Sequence, residues 1–248
     1  MRIAYIRFQA TSSEIPVPAL KRRLPGPRPQ GHMTHRTLLG VTVICMAAGP
    51  AAQAQSYGNR WQRHHFSAGL GIAMPRQELQ PGYQNAFGWT LGYGYRPLPY
   101  LQIDAGYEGS YNAADVNDFY DQPAFGPLRI RDFQTFLPFG ARVILPLAGG
   151  RVEVFGGGGG AYLRYSENLR QPSDWVRVGC PVCRARDGFG WQALAGFAVG
   201  LNPGNAMKLG VFTRVYDATT SGPPVGNIWD GTTKDRWLNT YLSLSFSF

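Results

Sequence analysis

The chain has 248 residues and a formal net charge of +9 at pH 7, from 24 Lys and Arg against 15 Asp and Glu. Such an excess would suit a nucleic-acid partner if it ran along the whole chain. Residues 1–54, however, hold seven of the basic residues and one of the acidic ones, so the remainder carries only about +3 and nucleic acid is excluded as the expected partner.

Read from the start, residues 1–32 are rich in Pro and basic residues (Lys21, Arg22, Arg23, Pro29). From Met33 come His35 and Arg36, an apolar run from Leu38 to Ala48, then Ala52, Gln53 and Ala54. Charged, apolar and small-residue regions in that order are the layout of a secretory signal peptide, and the apolar run is far short of the roughly 20 residues of a membrane helix. The expected organisation is therefore an unstructured upstream extension over 1–32, a removable signal over 33–54 and one domain over 56–248, with Met33 as the start. Cys45 lacks the small residues that precede a lipoprotein cysteine, so no lipid anchor is expected.

Apolar residues then recur at every second position in segments 66–74, 87–95, 101–111, 133–145, 152–162, 191–201, 207–215 and 238–248. A period of two is the mark of a strand with one apolar face. The last segment reads Leu238, Leu242, Leu244, Phe246 and Phe248 on one face, with Asn239, Ser243, Ser245 and Ser247 on the other. Its eleven residues match the roughly 9–11 that a tilted strand needs to cross a bilayer. Segments 96–100, 146–150 and 202–205 carry tight-turn chemistry, whereas 75–86, 112–132, 163–190 and 216–236 are longer joints.

Opposite the apolar rows stand Ser67, Gly69, Thr90, Gln102, Asp104, Glu108, Arg142, Glu153, Lys208 and Arg214. Polar within and apolar without is the reverse of a soluble lipocalin-like barrel. The fold expected is all-β: a closed antiparallel eight-stranded up-and-down transmembrane barrel, with short turns and both chain ends on one side. Pro138 falls inside a strand, where it removes a ladder hydrogen bond, and predicts a bulge or a break in register.

An eight-stranded barrel is wide enough only for its own side chains. Asp104, Arg142 and Glu153 fall on consecutive strands at similar depth, and Arg142 is expected to bridge both carboxylates in a packed plug, a gated ion path being the weaker reading. The run Gly156 to Gly160 with Ala161 mimics a dinucleotide fingerprint, but strand rather than helix follows it. Cys180 and Cys183 lie in one long joint and, in an exported chain, are expected to form a disulfide. Asp115, Asp118 and Asp121 match no calcium loop and read as a solvated acidic stretch. His64 and His65 precede the first strand, away from the long joints, so no catalytic, cofactor or metal residues are assigned. Trp89, Tyr95, Tyr107, Tyr111, Trp191, Trp237 and Phe248 read as an interfacial girdle.

The terminal strand, with its alternating aromatics and final Phe, together with the signal segment and strand spacing, resembles the small eight-stranded bacterial outer-membrane barrels akin to the OmpA transmembrane domain and OmpX. Pro138 departs from that pattern. The resemblance implies a Gram-negative outer-membrane address, outer-membrane lipids as surroundings, and insertion by the barrel-assembly machinery with Phe246 and Phe248 as the signal. It implies a structural or surface-interaction role, with an extracellular ligand held by loops 112–132 and 163–190. A narrow small-solute or ion pore is the alternative, and a lipid-modifying enzyme ranks below it.

Overall fold

Strands whose side chains alternate between lipid and a polar interior can satisfy their backbone only by pairing sideways, and the pairing here runs full circle. The computed structural model describes residues 62–80, 82–114, 119–226 and 231–248. The expected extension 1–32, the expected signal 33–54, Asp115 and Asp118 lie outside the described residues. Among the described residues are β1 (His64–Gln77), β2 (Ala86–Leu98), β3 (Leu101–Tyr111), β4 (Phe119–Gln122), β5 (Gly126–Leu147), β6 (Val152–Leu169), β7 (Ala185–Gly200), β8 (Met207–Gly222) and β9 (Gly231–Ser247). Every neighbouring pair is antiparallel, and the order β3-β2-β1-β9-β8-β7-β6-β5 closes through β3 on β5, leaving β4 as a flap on the start of β5.

The seam lies between β1 and β9, from His65 opposite Ser247 to Gln77 opposite Asp235. Its outer row pairs Phe66 with Phe246, Ala68 with Leu244 and Leu70 with Leu242, and its inner row carries the buried Ser243 and Ser247. Beyond the last pair, the His64 N–H donates to the Phe248 carbonyl at 2.9 Å, and the Phe248 N–H donates back at 3.0 Å. The outer wall is apolar on every side: Leu70, Leu91, Ile103, Phe139, Phe197 and Leu209 all stand more than 40 % exposed. Such a continuous apolar girdle has no place in water. Nine residues from Phe66 to Met74, at about 3.3 Å each and tilted about 40°, span roughly 20–25 Å, the height of a bilayer's hydrocarbon band.

Several strands run past the periodic segments. β6 continues to Leu169, β7 begins at Ala185, β8 reaches Gly222 and β9 begins at Gly231, so the joints expected over 163–190 and 216–236 narrow to 170–184 and 223–230. Outward positions there are Arg164, Asp187, Asp217 and Arg236, so the apolar alternation fades while the ladder goes on. The glycine run 156–160 is strand throughout. The bulge expected at Pro138 is not present. The β3–β5 ladder skips the pairs at Gly106 and Tyr107 and resumes at Glu108 opposite Phe136 in an unchanged register, a gap that matches a missing donor.

Two glycine positions follow from this geometry. Gly149 (φ 70°) and Gly150 (φ 79°) close the tight turn after β5. At the seam, a Cβ on Gly71 would sit 1.9 Å from the Thr240 carbonyl oxygen and 2.7 Å from the Tyr241 ring. Gly71→Val therefore forces the seam apart, costing about 3 kcal/mol or more. Heat-modifiable gel mobility should show the compact form lost in Gly71→Val and kept in Leu70→Val on the lipid side. Equal folding of the two would contradict the β1–β9 closure.

Candidate functional site: the filled barrel interior

Inward side chains form layers along the bore. At the short-turn end, the Arg96 guanidinium donates to both Glu153 oxygens at 3.0 Å each and to Gln102 Oε1 at 3.0 Å. The Lys208 ammonium stands 2.7 Å from the same Glu153. His65 shares a 2.6 Å hydrogen bond with the Ser247 hydroxyl and a 3.0 Å one with the Gln62 carbonyl. Both are buried and cross-strand partners, so this pair fastens the base of the seam.

One step further in, Arg142 donates to Asp104 through Nε at 2.7 Å and Nη2 at 2.8 Å, and its guanidinium lies 4.9 Å from the Phe155 ring centre. The single bridge expected of Arg142 is thus divided. Asp104 and Arg142 come together, while Glu153 belongs to Arg96 and Lys208. The tight-turn reading of 96–100 fails at Arg96: β2 runs on to Leu98, and Arg96 continues the inward row of Thr90, Gly92 and Gly94. Extending that parity by one pair would have found it. Deeper still, Arg214 is ion-paired to the fully buried Glu108, which also accepts from Asn239 Nδ2 at 3.1 Å. Between these layers lies a polar cavity of ≈ 60 Å³ bordered by Thr90, Arg142, Gln192, Arg214 and Ser243, room for a few waters.

The long-loop half of the bore is aromatic. Trp237 donates its indole N–H to the Tyr165 hydroxyl at 2.9 Å, and it meets Phe136 and Tyr83 edge-on at 5.4 and 5.7 Å. Phe136 stacks on Tyr216 at 4.9 Å. Leu79, Tyr83 and Val225, from the connections above, pack into the same cluster. Trp237 was read as a girdle residue; it is 0 % exposed and inside the barrel. It shares the parity of Asn239 and Ser243, so it must point inward with them. Among the remaining girdle residues, Tyr95, Tyr107, Trp191 and Phe248 stand on the outside. Above the plug, Arg186 donates to Thr220 Oγ1 at 3.1 Å and Thr233 Oγ1 at 2.7 Å, and Thr233 donates to Asp235 at 2.7 Å.

Outside the bore, Cys180 and Cys183 are joined by a disulfide in the connection 170–184. Among the described residues, no group of three or more His, Cys, Asp and Glu is placed to hold a metal ion.

Removing one partner of a fully buried ion pair strands the other, at about 3–5 kcal/mol. Arg214→Met should lose that much stability in urea unfolding from detergent micelles. Adding Glu108→Gln should restore at least half of the loss. A double variant no more stable than Arg214→Met would show that packing, not charge, holds this layer.

No protein-family model and no curated protein matches the chain. Solved structures do. Neisserial surface protein A aligns at 14% identity and TM-score 0.49, over 75% of this chain and 97% of its own. Ail of Yersinia pestis aligns at 10% and 0.46, over 76% and 100%, and OprG of Pseudomonas aeruginosa at 13% and 0.46, over 76% and 97%. At that level of similarity nothing is carried over to this chain. By strand count, ring closure and inside-out polarity, the chain has the architecture of an eight-stranded transmembrane β-barrel.

Proposed function

We propose that this protein resides in the bacterial outer membrane as a non-conducting mount for the structure built on its long-loop end, in a structural or surface-interaction role. The observation that carries the reading is the aromatic plug: Trp237, Tyr165, Phe136 and Tyr216 fill the bore beneath the loops, each fully buried. A barrel devoted to permeation has no use for such a stopper.

The end that the plug supports has a small core of its own. Leu128 and Ile130 of β5, Leu169 of β6 and Val178 pack together, with Tyr120, Val176, Cys180 and Cys183 against them. Gln171 holds Val178 by two hydrogen bonds, at 2.7 and 3.1 Å, and the disulfide ties off the tip. Trp175 stands 95 % exposed on this ledge. A second core beyond the hydrocarbon band adds nothing to crossing the membrane and much to presenting a fixed surface, which supports an extracellular ligand held within 112–132 and 163–190. A narrow small-solute or ion pore is the second reading, favoured by the polar cavity between Arg142 and Arg214. It requires the plug to move. The proposed role involves no catalytic step.

Surrounding outer-membrane lipid and delivery by the barrel-assembly machinery belong to the same proposal. Phe246 and Phe248 serve as the insertion signal, with the Phe248 ring stacked on Phe66 at 5.9 Å and on His64 at 5.5 Å.

Planar-bilayer recording tests the central point. The native protein should give no stable conductance, and Trp237→Ala with Tyr165→Ala should open one. Steady conductance by the native protein would favour the pore. Deleting residues 170–184 should leave heat-modifiable mobility intact and abolish binding to cells or matrix; unchanged binding would remove the ledge from the account.

A further inference from the structure

The column of outward side chains on β5 changes character as it leaves the hydrocarbon band. Phe139 and Leu137 are exposed and apolar, Phe133 packs its ring against Tyr111 at 5.2 Å, and then come Arg131 and Arg129. Each step of two residues advances about 6.7 Å along the strand. Arg131 therefore stands one step beyond the last aromatic pair, its guanidinium 5.8 Å from the Tyr111 ring centre, and Arg129 stands one step beyond that. Just past the end of β6 the neighbour of Arg129 is Arg170, whose N–H donates to the Arg129 carbonyl at 2.8 Å. Ile130 opposite Leu169 fixes the register, so the two arginines are direct cross-strand partners on the lipid-facing side.

Like charges placed opposite one another across a ladder repel. Elsewhere on the outer wall Arg236 is ion-paired to Asp217 and Arg164 stands across from Asp187, while Arg76 faces Arg236 across the seam. Arg129, Arg131 and Arg170 have no ion pair among the described residues. On the same face, Asp121 of β4 lies opposite Pro127, one step beyond Arg129. Three arginines thus stand on the outward face of the barrel wall just beyond the last aromatic pair, at the depth where acyl chains end and headgroups begin.

We propose that Arg129, Arg131 and Arg170 form a clamp for the phosphate groups of an anionic glycolipid in the outer leaflet. A planar guanidinium matches a phosphate by paired, charge-assisted hydrogen bonds, and a phosphate between Arg129 and Arg170 converts their repulsion into two attractions. The patch lies on the wall rather than at the mouth, so a lipid headgroup reaches it by lateral diffusion, in register with the chains packed on Leu137 and Phe139. The assignment to the outer leaflet rests on the orientation given above, with the long connections outside.

The test reconstitutes the full protein in phosphatidylcholine bilayers, alone, with a diphosphorylated glucosamine-disaccharide lipid, or with the same glycolipid stripped of its phosphates. The unfolding temperature is read by gel mobility. The phosphorylated lipid should raise it and the stripped lipid should not. The triple variant Arg129→Gln, Arg131→Gln, Arg170→Gln should lose more than half of the rise while unfolding normally in phosphatidylcholine alone. Arg151→Gln, at the short-turn end, should keep all of it. An equal rise in the triple variant, or none in the native protein, overturns the clamp. Orientation is read separately, by protease cleavage within 170–184 on intact cells. Protection of that segment overturns the outer-leaflet assignment while the bilayer result stands by itself.

Discussion

An unpaired peptide group in hydrocarbon costs several kcal/mol. That one penalty organises the whole molecule. It leaves no tolerance for a sheet edge, so β1 must find β9 across nearly the full length of the domain, and the tight approach at Gly71 is a direct result. A ring of eight encloses a bore that only side chains can fill. Closure therefore decides the interior as well as the wall, because every residue whose neighbour faces lipid must face the bore.

The bore is filled in two different ways. Near the short turns it is ionic, with Glu153 held by Arg96 and Lys208, Asp104 by Arg142, and Glu108 by Arg214. Near the long loops it is aromatic. Ion pairs in a low-dielectric interior are strong only when their remaining donors and acceptors are also met, and Gln102 and Asn239 do that for Arg96, Asp104 and Glu108. The rings there pack edge-on and stacked, with the Trp237 N–H met by the Tyr165 hydroxyl. A small polar pocket with room for water lies among the ionic layers.

Period two made the wall legible wherever lipid lies on one side and protein on the other. Phe66 through Met74 and Leu238 through Phe248 were readable for that reason, and so was the inward set Glu108, Lys208 and Arg214. Past the hydrocarbon band the outward environment becomes water, and the alternation that marks a strand disappears although its ladder does not. Arg164, Asp217 and Arg236 therefore read as loop in the sequence although they are strand. Trp237 and Arg96 were misplaced by residue type, one as an aromatic suited to an interface and one as a neighbour of turn prolines. Their parity was available: Trp237 is two positions from Asn239, and Arg96 two from Gly94. In a closed barrel parity outranks propensity, since a single misdirected side chain requires a slip of the entire strand. Pro138 shows the converse, in that the lost donor is absorbed as a gap because sliding the register would turn every neighbour inside out.

The same hierarchy explains how the loops are held. Leu79 and Tyr83 in the connection after β1, and Val225 in the one after β8, are drawn into the aromatic cluster, so two of the long connections are part of the plug. The remaining projection, on β4, β5 and β6, has a separate core of Leu128, Ile130, Leu169 and Val178 and its own disulfide. Two cores on one barrel separate two tasks. Substitutions in the plug act on closure of the bore, whereas the ledge rests on its own apolar contacts and can change its exposed residues, Trp175 among them, without disturbing the ring. Under the proposed role, a surface that meets a partner outside the cell gains from that independence, because its chemistry can change with its partner while the ring that carries it stays fixed.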